Sequence, residues 1–301
     1  MTDILLEPTP GFREPATLTK AQDAGVKSIL LHIQNDPTLV ARIENALSIA
    51  RGCGAHLSCV HVTPIEAYVA FDSFGGVFVM NSVMKALDEE EAALKLRVEE
   101  QLRNEDVTWD FVQVTGNVVG QVVSRSALSD LVITGRMTQP ADFAGSGLGF
   151  LGDLLHRART PLLIAGDNGE PCDPSGPALI AWDGSYEAAN TVRSAIGLLK
   201  LASEVRVLQV KEQEKDETFP RTGLLEYLSR HGIHAELQVE PAPAGDKADF
   251  AAALIVAQAR AIGAAYILMG GYNHSRTGEY LFGGVTRTML TACPLPLVIA
   301  R

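Results

Sequence analysis

Short apolar runs alternate with longer segments of helical periodicity along most of the chain. The run ALIAWD, at Ala178–Asp183, stays apolar up to its last residue, as expected for a strand that is covered on both faces. In the segment that follows, 185–201, apolar residues recur at Ala188, Val192 and Leu199, a spacing that places them on one face of a helix. Strands that alternate with helices predict βαβ units and a parallel sheet.

The same alternation predicts five strands and four helices in each half of the chain. The strands are expected near 28–33, 56–62, 107–114, 131–135 and 161–165, and near 178–183, 205–210, 235–239, 265–270 and 295–300. The helices are expected near 38–52, 87–103, 117–128 and 150–158, and near 185–201, 224–231, 250–261 and 286–291. The predicted fold class is therefore α/β, with two tandem five-stranded parallel-sheet domains.

The two halves are related by a repeat with an offset of 135 residues. The phrase PLLIA at 161–165 returns as PLVIA at 296–300, and the same ungapped offset pairs LVITG at 131–135 with YILMG at 266–270. It also pairs Gly149 with Gly284. Paired Gly and Pro positions are hard to obtain by chance, because each marks a backbone requirement. The repeat therefore indicates two copies of one domain.

Turn-forming residues separate the two copies. The stretch 166–177, GDNGEPCDPSGP, has almost no large apolar residues and is typical of a linker. We expect an N-terminal tail at 1–25, a first domain at 26–166, a linker at 167–176 and a second domain at 177–301. The first domain carries additional residues after its second strand. This apolar, glycine-bearing segment, 65–84, is interpreted as a lid or packing loop over the sheet edge.

Charge and composition exclude several classes of protein. The 301 residues are 47% hydrophobic, which argues against disorder, and their net charge of −11 argues against nucleic-acid or anionic membrane partners. No apolar run reaches the roughly 18 residues of a membrane span. The start of the sequence lacks the basic and apolar regions of a signal peptide. We therefore expect a soluble cytoplasmic protein.

A glycine-rich loop follows the fourth predicted strand of the second half. Gly270 is followed after two residues by Asn273, and then after nine residues by the pair Gly283–Gly284. In a parallel sheet, ligands bind at the carboxyl ends of the strands, and a glycine pair at a helix start lets backbone N–H groups approach phosphate oxygens. Thr286 and Arg287 can add a hydroxyl group and a cation. A tight turn between strand and helix is the alternative explanation for these glycines.

The repeat, the order of elements and this loop resemble the universal stress protein family over roughly 26–165 and 177–301. The ATP-binding members of that family carry G-x2-G-x9-G-[ST] between the fourth strand and the last helix. The spacing is intact here, but Asn273 stands for the second glycine and Gly284 for the Ser or Thr. Asn tolerates left-handed backbone, so the turn can form. The resemblance implies a nucleotide-binding fold of the adenine nucleotide alpha hydrolase-like type.

The resemblance also implies a nucleotide site in the second half. Asp183, at the end of the first strand, would contact the nucleotide, and Val210, at the end of the second strand, would line the adenine. The residues implied to bind the nucleotide are Asp183, Val210, Met269, Gly270, Asn273, Gly283, Gly284, Val285 and Thr286. The expected cofactor is ATP, or ADP or AMP, together with Mg²⁺. No catalytic residue is predicted, because the sequence shows neither a positioned base nor a Walker-type Lys.

The first half departs from the loop pattern. Its aligned residues are Gly135, Thr138, Leu148 and Gly149. Leu148 places a side chain where the backbone would meet a phosphate. At the position of Asp183 this half has Gln34 or Asn35, depending on a shift of one residue. We interpret the first half as a degenerate copy that retains the fold and the pairing surface and is free to bind something else.

Histidines of the first half leave zinc binding open as an alternative. His32 and His61 would lie on neighbouring strands, with His56 and Cys59 close in sequence, but none of these residues shows the short fixed spacing of a structural zinc site.

The four cysteines have no partner motif and do not form a disulfide framework. Core packing is the expected role of Cys53, Cys59 and Cys293. Cys172 lies in the linker and is expected to be the most exposed thiol.

The resemblance implies a nucleotide-dependent role in stress response, through binding and conformational signalling. A slow ATPase that uses the second-half site is one alternative, and a nucleotide-free interaction module with two degenerate sites is another. The family pairs its domains through the last strand, so that 161–165 and 295–300 would join the halves as an intramolecular pseudo-dimer. A homodimer and an unidentified protein partner remain open.

Overall fold

A computed structural model describes residues 25–64, 77–136, 147–166, 171–211, 221–241, 247–271 and 283–301, with only the backbone described at 77–83, 147, 148, 211 and 247. The strands are β1 (Ser28–Ile33), β2 (His56–Pro64), β3 (Trp109–Gly116), β4 (Leu131–Thr134), β5 (Leu162–Ile164), β6 (Ala178–Ala181), β7 (Val205–Lys211), β8 (Ala235–Pro241), β9 (Tyr266–Gly270) and β10 (Leu297–Ala300). The helices are α1 (Leu39–Cys53), α2 (Val77–Leu102), α3 (Val118–Ser126), α4 (Gly147–Arg157), α5 (Tyr186–Ser194), α6 (Ile196–Leu199), α7 (Arg221–Arg230), α8 (Lys247–Ala261) and α9 (Gly284–Ala292).

The strands form one continuous sheet in the order β3-β2-β1-β4-β5-β10-β9-β6-β7-β8. Neighbouring strands within each half are parallel. The halves join where β5 and β10 pair antiparallel, with Val298 opposite Leu163. The predicted α/β class, the parallel sheet of each half and the pairing of the two last strands are confirmed.

Helices cover both faces of this sheet. On one face, α1, α2, α5, α6 and α7 pack around a core that includes Leu47, Leu94 and Val192. On the other face, α3, α4, α8 and α9 pack around a core that includes Leu154 and Leu290. The central strands β4, β5 and β10 are buried along their whole length. Burial on both faces is why these strands are continuous apolar runs in the sequence.

Two predicted helices differ from the structure. The helix expected at 185–201 is divided at Ala195, whose backbone (φ −99°, ψ 12°) interrupts the helix between α5 and α6. The helix expected at 87–103 begins already at Val77, so that 77–84 of the segment interpreted as a lid are helical. The β-branched and aromatic residues of this stretch have low helix propensity and concealed the start of α2. The rest of that segment, 65–76, lies outside the described residues, as do 1–24 of the predicted tail.

The linker is docked on α1. The Asn45 side chain, which is fully buried, accepts a hydrogen bond from the backbone N–H of Cys172 at 2.9 Å. A Cβ atom at Gly52 would overlap with the ring of Pro174, so α1 and the linker are in close contact. The expectation that Cys172 is the most exposed thiol is therefore wrong: its side chain is buried, and burial raises the pKa of the thiol. The other three cysteines are buried as predicted.

Arginines from each half bind the end of a helix in the other half. The Arg136 guanidinium donates hydrogen bonds to the carbonyl oxygens of Leu290 (2.7 Å) and Cys293 (2.5 Å), at the end of α9. Arg301 donates to the carbonyl oxygen of His156 (3.2 Å), near the end of α4. The last carbonyl groups of a helix have no partner within the helix, so each arginine satisfies acceptors that would otherwise need water.

We expect Gly166→Ala to lower the free energy of unfolding by about 1–3 kcal/mol, the usual cost of overpacking. Gly166 follows β5 at the junction of the halves, where a Cβ atom would overlap with the Pro294 carbonyl oxygen and lie 2.8 Å from the Leu295 carbonyl carbon. Chemical denaturation measures the effect. The matched control is Gly149→Ala in α4, where a Cβ atom has nothing within 4 Å, and which we expect to stabilise the protein by about 0.5–1 kcal/mol. Equal stability of the two variants would contradict the close contact at the junction.

Candidate functional site

The carboxyl ends of the second-half strands lie side by side at one edge of the sheet. The register pairs Ala181 with Leu208 and with Met269, and pairs Gly270 with Ala300. Helices α5 and α9 begin at the same edge, because each follows a strand and runs back across the sheet. The structure thus brings Asp183, Val210, Met269, Gly270 and the start of α9 to one edge, as predicted.

Asp183 orders the turn before helix α5, and Ser185 caps the helix. The Asp183 Oδ1 atom accepts the backbone N–H of Ser185 at 3.0 Å, and the Ser185 hydroxyl oxygen in turn accepts the N–H of Ala188 at 3.1 Å. Gly184 lies between them with φ +73°, a conformation that side-chain-bearing residues rarely adopt. The exposed Asp183 carboxylate therefore has a structural function that the sequence analysis did not assign.

Gly270 is required by packing. A Cβ atom at this position would lie 2.5 Å from the backbone nitrogen of Ala188, because the end of β9 passes directly under the start of α5. This close approach explains the glycine without a phosphate.

Thr191 connects α5 to two strand ends, and the sequence analysis missed it. Its hydroxyl oxygen lies within 3.2 Å of the carbonyl oxygens of Glu187, Met269 and Ala300 and accepts the N–H of Ala300 at 3.0 Å. The side chain is fully buried. The sequence feature that could have indicated this function is a threonine on the apolar face of a predicted helix. The Met269 carbonyl group is thereby engaged, and its side chain is buried in the core.

The two glycines at the start of α9 differ in what the structure requires of them. A Cβ atom at Gly284 would lie 2.5 Å from the Cβ atom of Ala248, so packing against α8 requires a small residue there. Gly283 has φ −56° and ψ 147°, a conformation open to any residue, and it provides no side-chain cap for the helix. Backbone strain therefore does not explain Gly283.

The first turn of α9 offers donors and positive charge. The first N–H groups of a helix have no partner within it, and the helix dipole adds a partial positive charge. Val285 is half-buried, Thr286 is buried, and Arg287 is exposed in the same turn. Within the described residues, the Thr286 hydroxyl has no hydrogen bond. Asn273 lies outside the described residues.

A second cation lies at the end of β7. The Arg221 side chain, from the first residue of α7, donates a hydrogen bond to Oε1 of the buried Gln209 at 3.0 Å. Gln209 precedes Val210, which is half-buried. Together with Arg287, this arginine makes the second-half edge favourable for an anion.

In the first half, a residue at a different position makes the hydrogen bond that corresponds to that of Asp183. The strand register places Gln34 at the equivalent position, since Leu31 pairs with Ile133 as Ile180 pairs with Leu268. The hydrogen bond that starts the helix is instead made by Asp36, whose Oδ1 accepts the N–H of Thr38 at 2.7 Å. The sequence pattern predicted Gln34 or Asn35 at this position and gave no signal for Asp36.

A buried ion pair fills the end of β4 in the first half. Arg42 is 1% exposed and pairs with Asp36 at 2.8 Å, and its guanidinium also donates to the Gln34 carbonyl oxygen at 3.0 Å. A Cβ atom at Gly135, the first residue of the loop pattern in this half, would overlap with Arg42 Nη1. A protein cation thus occupies the space under the strand end. The Leu148 side chain lies outside the described residues, and its blocking role stays a prediction.

The four residues considered for zinc have other surroundings. His32 is buried, stacks on Phe150 at 5.4 Å between ring centroids, and has its Nδ1 3.3 Å from the Thr134 hydroxyl. Burial, then the charge of Arg42, then His61 lower the pKa of His32 to about 3, so this ring is neutral. His56 bonds Asp110 at 2.8 Å. Among the described residues, no three or more His, Cys, Asp or Glu side chains are grouped to hold a metal ion.

Solved structures identify the fold. A universal stress protein from Archaeoglobus fulgidus matches with a TM-score of 0.69 at 15% identity, over 91% of this chain and 97% of its own. A putative universal stress protein from Pseudomonas aeruginosa matches with a TM-score of 0.58 at 17% identity, over 92% and 94%. A protein of unknown function from the same species matches with a TM-score of 0.59 at 17% identity, over 94% of each chain.

The chain therefore has the fold of universal stress proteins along nearly its whole length, which confirms the resemblance inferred from the sequence at the level of the fold. No protein-family model matches the sequence, and no curated protein matches it either. In the part of the chain that the structure describes, every helix is too short or too polar to cross a membrane.

We expect Asp183→Ala to lower the free energy of unfolding by roughly 0.5–1.5 kcal/mol, because the Ser185 N–H loses its acceptor. Asp183→Asn retains an oxygen acceptor at the same place and should remain within about 0.5 kcal/mol of the parent. Urea denaturation of the two variants measures the difference. If both variants were as stable as the parent, the hydrogen bond at the start of α5 would contribute nothing.

Proposed function

We propose that the protein binds an adenine nucleotide at the carboxyl edge of its second half and acts in stress response by binding and conformational signalling. Three supports are independent of each other: the fold, the intact G-x2-N-x9-G-G spacing at 270–284, and the positive first turn of α9. The observation that carries the proposal is Gly283. Its backbone conformation is open to any residue, and it directly precedes the first turn of α9, which has no side-chain cap.

The phosphates would lie at the start of α9. The backbone N–H groups of this turn have no side-chain cap, and Gly283 adds no Cβ atom between them and an incoming oxygen. Arg287 in the same turn supplies a full positive charge, and the Thr286 hydroxyl is a further donor. With Mg²⁺ on the distal phosphates, these groups would bind ATP more tightly than AMP.

The nucleoside would lie between the ends of β6 and β7. A carboxylate can accept about four hydrogen bonds, so Asp183 can hold the Ser185 N–H and also accept one from a ribose hydroxyl or the adenine amino group. The half-buried Val210 would contact the flat face of the base. Arg221 lies beside it through Gln209 and adds to the positive field.

Substitution of Gly283 tests this arrangement. The backbone conformation of Gly283, with φ −56°, is one that leucine adopts, so we expect Gly283→Leu to fold with a melting temperature within a few degrees of the parent. Its side chain should abolish the upward thermal shift that ATP produces, with a smaller effect on AMP, because the distal phosphates lose their donors. The matched control is Gly149→Leu in the first half, where the exposed position has open space. This control should retain the full ATP-dependent shift.

A Gly283→Leu variant that keeps the ATP shift of the parent would place the phosphates elsewhere. Mass spectrometry of the protein purified without added nucleotide separates binding from turnover: bound ATP supports binding alone, whereas ADP or AMP indicates hydrolysis. Absence of any nucleotide, together with no thermal shift by ATP, ADP or AMP, would overturn the proposal.

A further inference from the structure

The first half contains a cavity of about 200 Å³ at the carboxyl ends of β1 and β2. Its polar lining is His32, Gln34, Asn35, His61, Glu90 and Glu91. Its apolar lining comes from β1, β2, α2 and the start of α3, and includes Val62, Leu87 and Leu94. Among the described lining residues there is no lysine or arginine. The cavity therefore combines an apolar wall with a set of polar groups that contains two carboxylates and no cation.

Two polar atoms in this wall are buried and have no hydrogen-bond partner: Gln34 Oε1 and His61 Nε2. The other ring nitrogen of His61, Nδ1, lies 3.0 Å from the Ile33 carbonyl oxygen and must donate to it. The His61 Nε2 atom lies 3.5 Å from the Glu91 carboxylate. Buried polar groups are normally paired, so Gln34 Oε1 lacks a donor.

The carboxylates are held in place by their neighbours. Glu91 is 7% exposed and accepts hydrogen bonds from the Thr63 hydroxyl and from Gln113 Nε2. Glu90 lies at the rim, where its Oε1 accepts from Asn35 Nδ2 at 2.8 Å. Arg97 donates to Asn35 Oδ1 at 2.7 Å, and Arg42 donates to the Gln34 backbone carbonyl oxygen at 3.0 Å. The side-chain network thus fixes Glu90 and Glu91 against the cavity.

The equivalent position in the second half has the opposite charge. His61 corresponds to Gln209, since each lies two residues beyond the strand residue that pairs with Leu31 or Ile180. The side chain from the next helix that approaches it is Glu91 in the first half and Arg221 in the second. The same place in the fold therefore favours a cation in one half and an anion in the other.

We propose that the first-half cavity binds a small organic cation with a primary ammonium group. An ammonium group has three N–H donors and a positive charge, which match Gln34 Oε1 and the two carboxylates. The carbon chain would lie against Val62, Leu87 and Leu94. A phosphate-bearing ligand is disfavoured, because its charge would meet Glu90 and Glu91. This site is separate from the proposed nucleotide site and does not depend on it.

Calorimetric titration of the full chain with matched four-carbon compounds tests the proposal. Putrescine should bind at one site per chain, whereas 1,4-butanediol and succinate, which lack the ammonium groups, should not bind. Agmatine and tyramine extend the test to other chain shapes. Glu90→Gln and Gln34→Leu should each weaken the binding of the best amine at least tenfold. Glu100→Gln, at an exposed position of the same helix, is the matched control and should leave it unchanged.

Three outcomes would overturn the proposal: no amine binds, the diol binds as well as the diamine, or amine affinity is the same in the Glu90 and Gln34 variants as in the parent. Gly283→Leu should bind amine like the parent, so a failure of the nucleotide site and a failure of this site are distinguishable.

Discussion

The antiparallel pairing of β5 with β10 determines the arrangement of the whole molecule. Because the strands within each half are parallel, this single antiparallel junction reverses the strand direction from one half to the other. The carboxyl ends of the first-half strands therefore point in the opposite direction from the carboxyl ends of the second-half strands. The close contact of Gly166 with the Pro294–Leu295 backbone, and the arginines that bind opposing helix ends, depend on this junction.

Separation of the two edges leaves each strand-end site free to acquire its own chemistry. In the second half, the edge holds an uncapped helix start, Arg287 and Arg221. In the first half, the end of β4 is filled by the Asp36–Arg42 pair, and the neighbouring cavity has Glu90 and Glu91. The order of strands and helices is the same in both halves, but the side chains near the strand ends carry opposite charges. One fold thus offers an edge suited to an anion and a cavity suited to a cation.

The fold could be predicted largely from the sequence. Buried parallel strands must be apolar on both faces, and because the domain is repeated, each strand and helix is indicated twice in the chain. The start of α2 could not be predicted, because the valines and the phenylalanine of 77–84 have low helix propensity. The docked linker was also missed. Its turn-forming residues are typical of a flexible segment, whereas the contacts that hold it, such as the hydrogen bond from Cys172 to Asn45, join residues 127 positions apart.

The site was predictable in position and less so in detail. The spacing predicted that Asp183, Gly270 and Gly283 lie at one edge, but it could not separate glycines that serve packing from a glycine whose backbone conformation is open to any residue. Gly270 and Gly284 belong to the first kind, because Ala188 and Ala248 come close only in three dimensions. The functions of Thr191 and Asp36 likewise depend on partners that the chain brings together only on folding.

Photolabelling with 8-azido-ATP, followed by mapping of the labelled peptides, tests the central claim that the two halves have diverged in ligand. The account predicts label that ATP competes away and that lies only in second-half peptides, those containing Asp183 or Val210. Competable label in first-half peptides around 28–36 or 56–64, or the absence of any competable label, would contradict it.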